Sequence, residues 1–134
     1  MEETLKNQTE TKSTFETLEV WKAGRELRKE ISKLAKTFPS IEQYRLADQM
    51  IRSSRSVTAN IAEGHGRYHY QENIQFCRQS RGSLYELLDH LTVALDENYI
   101  AEETFRSFRS RMFKVTKMLN GYIRYLKDKK SADN

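Results

Sequence analysis

The sequence predicts an all-α fold, an antiparallel up-down-up-down four-helix bundle. The chain has 134 residues with one proline and five glycines, too few for the many tight turns of an all-β protein. Apolar residues recur at alternating steps of three and four in four separate segments, a spacing that places them on one face of a helix. Because the connections between these segments are short, successive helices are expected to run antiparallel. The length predicts one domain with its own core.

The first predicted helix begins at about Thr17 and ends before Pro39, which pushes the preceding residue out of the helical region. Residues 1–14 are mostly polar and cannot bury enough surface to order themselves. We therefore predict a disordered tail over 1–14 and a bundle that begins at residue 15. The apolar stripe of this helix consists of Val20, Gly24, Leu27, Ile31, Leu34 and Phe38.

The second predicted helix covers about Ile41 to Glu63. Ser40 and Gln43 match a capping box, in which Ser40 is the N-cap and the Gln43 side chain bonds back to the Ser40 amide. Gly64 fits the position after the helix, where a left-handed backbone favours glycine. Apolar residues form one face, and the rest of the surface has small residues that let a neighbouring helix approach closely: Ser53, Ser54, Ser56, Thr58, Ala59 and Ala62.

The third predicted helix covers about Tyr70 to Glu97, with Asn98 as its stop. Gly82 lies in its interior, where glycine costs about 1 kcal/mol relative to alanine, and it predicts a close helix crossing or a local bend. The bundle is predicted to span residues 15–128, and a flexible tail to cover 129–134. The fourth helix has the most regular stripe, formed by Phe105, Phe108, Met112, Val115, Leu119, Tyr122 and Leu126.

The positive charge is concentrated in the last segment of the chain. The formal net charge is +4, and residues 102–134 hold nine basic against four acidic residues. Such an excess favours an anionic partner, and we predict that RNA or DNA phosphates contact this segment. The alternative is a solvated face that binds nothing specific. The predicted contacts are the basic residues interleaved with the apolar stripe of the fourth helix: Arg106, Arg109, Lys117, Arg124 and Lys127.

A second group of polar residues lies in and after the second predicted helix. A polar group on a crowded face is costly unless it is paired, so Asn60 and Glu63 are expected to bond across helices or to the turn at residues 64–67. We interpret the whole group as a structural cluster that fixes helix register or seals a subunit interface. The alternative is an arginine-lined phosphate or ligand site. The group consists of Arg52, Arg55, Asn60, Glu63 and Arg67.

The residues that catalysis requires are scarce, and the sequence predicts no catalytic, cofactor or metal site. His65 and His69 are four residues apart, but the glycines around His65 argue against a shared helix and no third ligand is near. Cys77 is the only cysteine, and we expect a small core residue. No apolar run approaches the ~20 residues of a membrane span and no signal peptide is visible, so a cytoplasmic protein without membrane contact is expected.

The tyrosines exceed what the core of a small bundle needs. The chain has seven tyrosines, and four of them lie in the predicted loops and the third helix. Exposed aromatic residues near arginine suit subunit contacts, which we favour, and they equally suit stacking on unpaired bases. The four are Tyr68, Tyr70, Tyr85 and Tyr99.

The segment Ser56–Gly64, SVTANIAEG, resembles the signature of the four helix bundle protein family, encoded in intervening sequences of bacterial 23S ribosomal RNA genes. The segments Phe15–Trp21, Phe38-Pro39 and Arg81–Glu86 extend the similarity, which covers the chain from about Phe15 to Leu126. The resemblance implies a bundle that assembles into a homo-oligomeric ring, a homopentamer, with no enzymatic activity and no cofactor. A related bundle is the accessory subunit of a reverse transcriptase in diversity-generating retroelements, which implies a nucleic-acid enzyme as a partner.

These observations together predict a non-enzymatic, homo-oligomeric helical-bundle protein. Its basic surface is expected to bind RNA or DNA as an accessory factor. The alternative function is a protein-interaction scaffold with no nucleic-acid role.

Overall fold

The computed structural model describes residues 14–133, and all regular structure within them is helical. The all-α, four-helix prediction is confirmed. Of the tail predicted for residues 1–14, only Thr14 lies within the described residues, where it accepts a hydrogen bond from the amide of Glu16. The elements are two 3₁₀ helices, Phe15–Thr17 and Ser40–Glu42, and four α-helices, α1 (Glu19–Ala35), α2 (Leu46–His65), α3 (Tyr70–Asp96) and α4 (Glu102–Asp133).

The four helices form a four-sided bundle in which each helix packs against two others. The backbones of α1 and α2, α2 and α3, α3 and α4, and α4 and α1 approach each other closely, whereas those of the diagonal pairs of the described helices stay apart. Hydrogen bonds between α2 and α3 link Ser53 to Glu86 and Ser56 to Ser83, so their order reverses along the two helices. Hydrogen bonds between α3 and α4 link Gln71 to Lys130 and Arg81 to Asn120, so the order reverses along this pair as well. Both of these pairs therefore run antiparallel.

The core lies along the bundle axis and uses the predicted apolar stripes. Ile31, Met50, Leu91 and Leu119, one from each α-helix, are all 0 % exposed. Burial of a side chain of this size contributes about 1.5–3 kcal/mol relative to exposure. A single cluster of buried residues joins all four helices, which is the arrangement that the spacing predicts.

The junction between α1 and α2 differs from the prediction. Ser40 begins a short 3₁₀ helix and α2 starts only at Leu46, so the predicted capping box is wrong. The Gln43 side-chain amide instead donates to the carbonyl oxygens of Ala35 at 3.1 Å and Phe38 at 2.9 Å. The last carbonyls of a helix lack partners within that helix, and Gln43 supplies one at the end of α1.

Gly64 lies inside α2 rather than after it, and the predicted left-handed conformation is wrong because none of the described glycines has positive φ. A Cβ atom at Gly64 would lie 2.8 Å from Asn73 Oδ1 and 2.8 Å from Phe76 Cβ. Gly64 therefore permits α3 to approach the end of α2 closely. Gly82, where a close crossing was an option, has nothing within 4 Å of its Cβ position. Asn98 ends α3 with φ of 61°, as its predicted role as a stop requires.

The C-terminal end of the bundle is longer than expected. Instead of the flexible tail predicted for 129–134, α4 continues to Asp133, and residue 134 lies outside the described residues. Lys130 donates from Nζ to Gln71 Oε1 at 2.6 Å, which ties the last turns of α4 to the start of α3. Among the described helices, none is both long and apolar enough to cross a membrane.

Cys77 is expected to be unreactive in the folded protein. Its thiol is 0 % exposed, and burial raises its pKa to about 12. Because the thiolate is the reactive form, the native thiol stays protonated through the neutral range and its reaction rises only as pH approaches that value. An absorbance assay with an aromatic disulfide reagent at about pH 8 should give slow modification of the native chain and fast modification in denaturant, where the ordinary thiol pKa is about 8.5. Equal rates in both conditions would contradict this expectation.

Candidate nucleic-acid interface

The predicted basic residues of α4 lie on one outer strip of the helix. Arg106, Lys117 and Arg124 are separated by 11 and 7 residues, which correspond to about three and two helical turns. Arg109 and Lys127 each follow one of these arginines by three residues and so lie beside them. All five side chains are exposed. The structure thus brings the predicted set to one face of the molecule.

The two arginines near the start of α4 already have partners. Arg106 Nη2 lies 2.7 Å from Glu102 Oε1, although both side chains are largely exposed. The Arg109 guanidinium carbon lies 4.6 Å from the centre of the Phe113 ring, a cation–π distance. An exposed ion pair contributes little and is screened by salt, so Arg106 remains able to exchange its partner for a phosphate.

Two arginines of α3, which sequence reasoning missed, extend the basic surface. Arg78 lines a shallow groove of about 400 Å³ together with Lys127 and Lys130 of α4. Arg81 donates from Nη1 to Asn120 Oδ1 at 2.7 Å, which holds its guanidinium against α4. The three-residue spacing of these arginines places both on one helix face, a signal that the sequence contains. We call this surface the α3–α4 strip and define it as Arg78, Arg81, Lys117, Arg124, Lys127 and Lys130.

Five of the six residues of the α3–α4 strip lie in helical segments without acidic side chains, and the sixth, Lys130, follows Asp128. Residues 73–85 of α3 and 104–127 of α4 contain no aspartate or glutamate, whereas the α4 segment alone contains seven basic residues. Carboxylates occur only beyond these limits, at Glu72, Glu86, Glu103 and Asp128. A surface lined by one sign of charge concentrates its potential and attracts polyanions.

Exposed aromatic residues adjoin one end of the α3–α4 strip. Tyr68 is 94 % exposed, and its ring makes an edge contact with His69 at 5.0 Å between centroids. These residues and Tyr70 line an open groove of about 580 Å³ that also includes Gln71, Lys130 and one carboxylate, Asp133. Because Lys130 borders both grooves, the aromatic surface is continuous with the strip.

The four tyrosines lie in the loops and the third helix, as the sequence predicts, but they do not share one surface. Only Tyr68 and Tyr70 lie at this end, while Tyr85 lies mid-helix on α3. The Tyr99 hydroxyl donates to Glu42 Oε2 at 2.8 Å, and its ring packs at 5.5 Å from that of Phe38. This hydrogen bond raises the pKa of Tyr99 and fixes the loop after α3. The four residues separate because the loops at opposite ends of a bundle do not meet.

The polar residues of α2 do not form one cluster. The expected bond of Asn60 across helices or to the turn is wrong, because its Nδ2 donates within its own helix, to Ser56 O at 2.9 Å and Ser56 Oγ at 3.0 Å. Ser56 Oγ lies 2.8 Å from Ser83 Oγ on α3, and Ser80 Oγ donates to Val57 O at 2.7 Å. The small hydroxyl residues thus form a hydrogen-bonded seam between α2 and α3, and Asn60 supports its edge.

Glu63 and Arg67 stabilise the turn between α2 and α3. Arg67 Nη2 lies 2.9 Å from Glu63 Oε1, and Nη1 lies 3.7 Å from Glu72 Oε2. The same guanidinium carbon lies 5.0 Å from the centre of the Phe76 ring. Glu63 therefore bonds to the turn, one of the two options that the sequence predicts.

The remaining two arginines of this group point elsewhere. Arg52 Nε lies 2.9 Å from Asp48 Oδ2, with its side chain 78 % exposed. Arg55 faces a groove between α1 and α2. The five residues therefore do not converge on one ligand site. Within residues 14–133, no three His, Cys, Asp or Glu side chains are grouped as metal ligands.

Comparisons with known proteins agree with this architecture. A crystal structure of a protein of unknown function from the S23 ribosomal protein family of Bacteroides thetaiotaomicron superimposes with a TM-score of 0.73. The two chains share 22% sequence identity, and the match covers 78% of this chain and 95% of the other. At this identity the likeness shows the fold alone. No curated protein matches the sequence.

The family comparison covers most of the bundle. The sequence model described as "23S rRNA-intervening sequence protein" matches residues 16–121, from the first 3₁₀ helix to the last third of α4. The matched region includes the α2–α3 seam and three of the six residues of the α3–α4 strip, Arg78, Arg81 and Lys117. The chain therefore belongs to the 23S rRNA-intervening sequence protein family.

Proposed function

We propose that the protein is a non-enzymatic accessory factor that binds RNA or DNA through the α3–α4 strip. The observation that carries this proposal is the strip itself, where six basic side chains from two helices share one face and no acidic residue lies within the segments 73–85 and 104–127. Lysine and arginine contacts to phosphates release condensed counterions, which supplies most of the affinity of such surfaces.

The chemistry of the strip favours binding that is independent of base sequence. Lysine and arginine side chains on an open surface contact phosphate oxygens, which carry no sequence information. The exposed ring of Tyr68, beside Lys130, offers a stacking surface for an unpaired base. Base–aromatic stacking contributes about 1–3 kcal/mol per base. We therefore expect single-stranded nucleic acid to bind more tightly than duplex.

The proposal includes self-association through an apolar patch near the middle of the same face. Tyr85 and Phe113, on α3 and α4, are 53 % and 36 % exposed, and their rings meet edge to face at 6.3 Å. Leu88 borders them. Exposed aromatic groups of this kind are enriched at subunit interfaces. A homopentamer ring, which the family resemblance implies, would repeat the basic strip five times and strengthen its field.

Removal of three charges from the strip is expected to weaken the binding of single-stranded RNA at least about tenfold at roughly 0.1 M salt, because each lost phosphate contact to a single strand costs about fivefold there. The variant R124Q/K127Q/K130Q alters exposed side chains only. Fluorescence anisotropy with a labelled single-stranded RNA measures affinity at several salt concentrations. A plot of the logarithm of the association constant against the logarithm of the salt concentration has a negative slope, and its magnitude should decrease by about 0.7 for each contact removed.

The control variant K22Q/R45Q/R52Q removes the same charge from exposed positions outside the strip, and it should bind almost as the parent does. Absence of binding by the parent protein at about 50 mM salt, where such contacts are strongest, would refute nucleic-acid binding. In that case, recovery of a protein partner after nuclease treatment would support the alternative function of an interaction scaffold. Equal effects of both variants would show that net charge matters and that the strip does not.

A further inference from the structure

A second basic surface lies between α1 and α2. A groove of about 310 Å³ runs along this pair of helices, and no carboxylate lines it. Three of its basic residues come from α1, Lys36 is the C-cap residue of that helix, and Arg55 comes from α2. Ser32 and Ser54 add hydroxyl groups, and Ile51 supplies an apolar wall. The basic side chains that line this α1–α2 groove are Arg28, Lys29, Lys33, Lys36 and Arg55.

Arg28 is held in place before any ligand binds. Its Nη1 donates to Thr58 Oγ1 at 2.9 Å, and its guanidinium carbon lies 5.7 Å from the centre of the Trp21 ring. The side chain is half-buried, and its remaining N–H groups are not used by a carboxylate of the described residues. A guanidinium fixed in this way loses less side-chain entropy when it bonds to a phosphate.

The other basic residues of the groove are available to an anion. Lys29 and Lys33 pair with Glu26 and Glu30 at 3.7 and 3.4 Å, in exposed pairs of the kind that contribute little. Lys36 and Arg55 form no ion pair with any residue of the described range 14–133. The groove thus presents five positive charges against two weakly held glutamates at its outer edge.

The α1–α2 groove and the α3–α4 strip lie on opposite sides of the bundle, because the helices form a closed four-sided ring of contacts. From Arg28 to Lys36, eight residues of helix cover about 12 Å. Phosphates of one strand in a duplex are about 3.4 Å apart along the axis, so this length matches three or four of them. The five charges are sufficient to contact a segment of that size.

We infer that the α1–α2 groove is a second site for the sugar–phosphate backbone of nucleic acid. This inference rests on the proposed nucleic-acid binding and adds a contact surface to it. One protomer then holds phosphates on two opposite sides, so it contacts two strands or one strand that passes around the bundle. The basic groups bind through charge and hydrogen bonds, and no base is read.

The test removes three exposed charges of the groove and keeps Arg28, which bonds to the buried Thr58. The variant K33Q/K36Q/R55Q is compared with the parent, with the control K22Q/R45Q/R52Q and with the charge-preserving variant K33R/K36R/R55K. A labelled single-stranded RNA of about 20 nucleotides is long enough to span several phosphate contacts on one protomer. Anisotropy titrations are made from about 50 to 200 mM salt, the range in which phosphate contacts dominate the affinity.

We expect the groove variant to bind at least about tenfold more weakly at roughly 0.1 M salt. The magnitude of the slope of log association constant against log salt concentration should decrease by about 2. The charge-preserving variant should match the parent. If the parent binds and the groove variant keeps the parent's affinity and slope, the groove is not a phosphate site, while the α3–α4 strip retains its proposed role. If the parent binds no RNA at about 50 mM salt, the proposed function itself fails and the groove inference with it.

Discussion

Replacement of Gly64 with alanine is expected to lower the free energy of unfolding by about 1–3 kcal/mol, the usual cost of an overpacked site. Helix propensity alone predicts the opposite, since alanine in a helix interior is favoured over glycine by about 1 kcal/mol. The difference arises because the new Cβ would lie 2.8 Å from both Asn73 Oδ1 and Phe76 Cβ. Asn73 is buried, and its Nδ2 donates to the Tyr122 hydroxyl at 3.2 Å, so it cannot move without loss of that bond.

Gly82→Ala provides the matched control, because a Cβ at Gly82 meets nothing within 4 Å. This variant should raise the free energy of unfolding by about 0.5–1 kcal/mol, the effect of propensity and of a less flexible unfolded chain. Urea unfolding followed by circular dichroism measures both variants against the parent. If Gly64→Ala is as stable as Gly82→Ala, the close approach of α3 to α2 is not a constraint on the fold.

These two glycines also show where sequence reasoning ends. Both lie inside a helix, and nothing in the residues around them in the sequence marks the one that faces a neighbour. The contact depends on which turn of α3 lies opposite Gly64, and that register is set by the seam of Ser56, Ser80 and Ser83. The apolar stripes were predictable because their period is a property of a single helix. The atoms that each glycine contacts depend instead on how two helices pack against each other.

The same distinction applies to the candidate site. The five basic residues of α4 were predictable as a set, since their spacing places them on one face whatever the helix packs against. Arg78 and Arg81 form one surface with three of them, Lys117, Arg124 and Lys127, only because α3 is the neighbour on that side. The α1–α2 groove likewise combines lysines of α1 with Arg55, which the sequence grouped with Asn60 and Glu63 instead. Arg55, Asn60 and Glu63 are close in the sequence, which suggested one cluster, but Arg55 lines the groove while the other two bond to different partners.

Leu119→Ala is expected to destabilise the protein by about 2–5 kcal/mol, the range for removal of a large buried aliphatic side chain. Leu119 is 0 % exposed at the middle of α4, and the cavity left by its isobutyl group would adjoin core residues of the other helices. A domain of this size has about 5–15 kcal/mol of total stability, so this one change removes a large fraction of it. Chemical unfolding at 25 °C measures the difference.

Met118, the preceding residue, is 37 % exposed and provides the control within the same turn of α4. Met118→Ala should change stability by no more than about 0.5 kcal/mol, as is usual for surface substitutions. The pair also separates stability from binding, because five of the six side chains of the α3–α4 strip are exposed and Leu119 is not among the six. Below its unfolding transition, Leu119→Ala should bind RNA with the affinity of the parent. A loss of affinity in the folded variant would mean that the geometry of the strip depends on core packing, and that the charges alone do not determine binding.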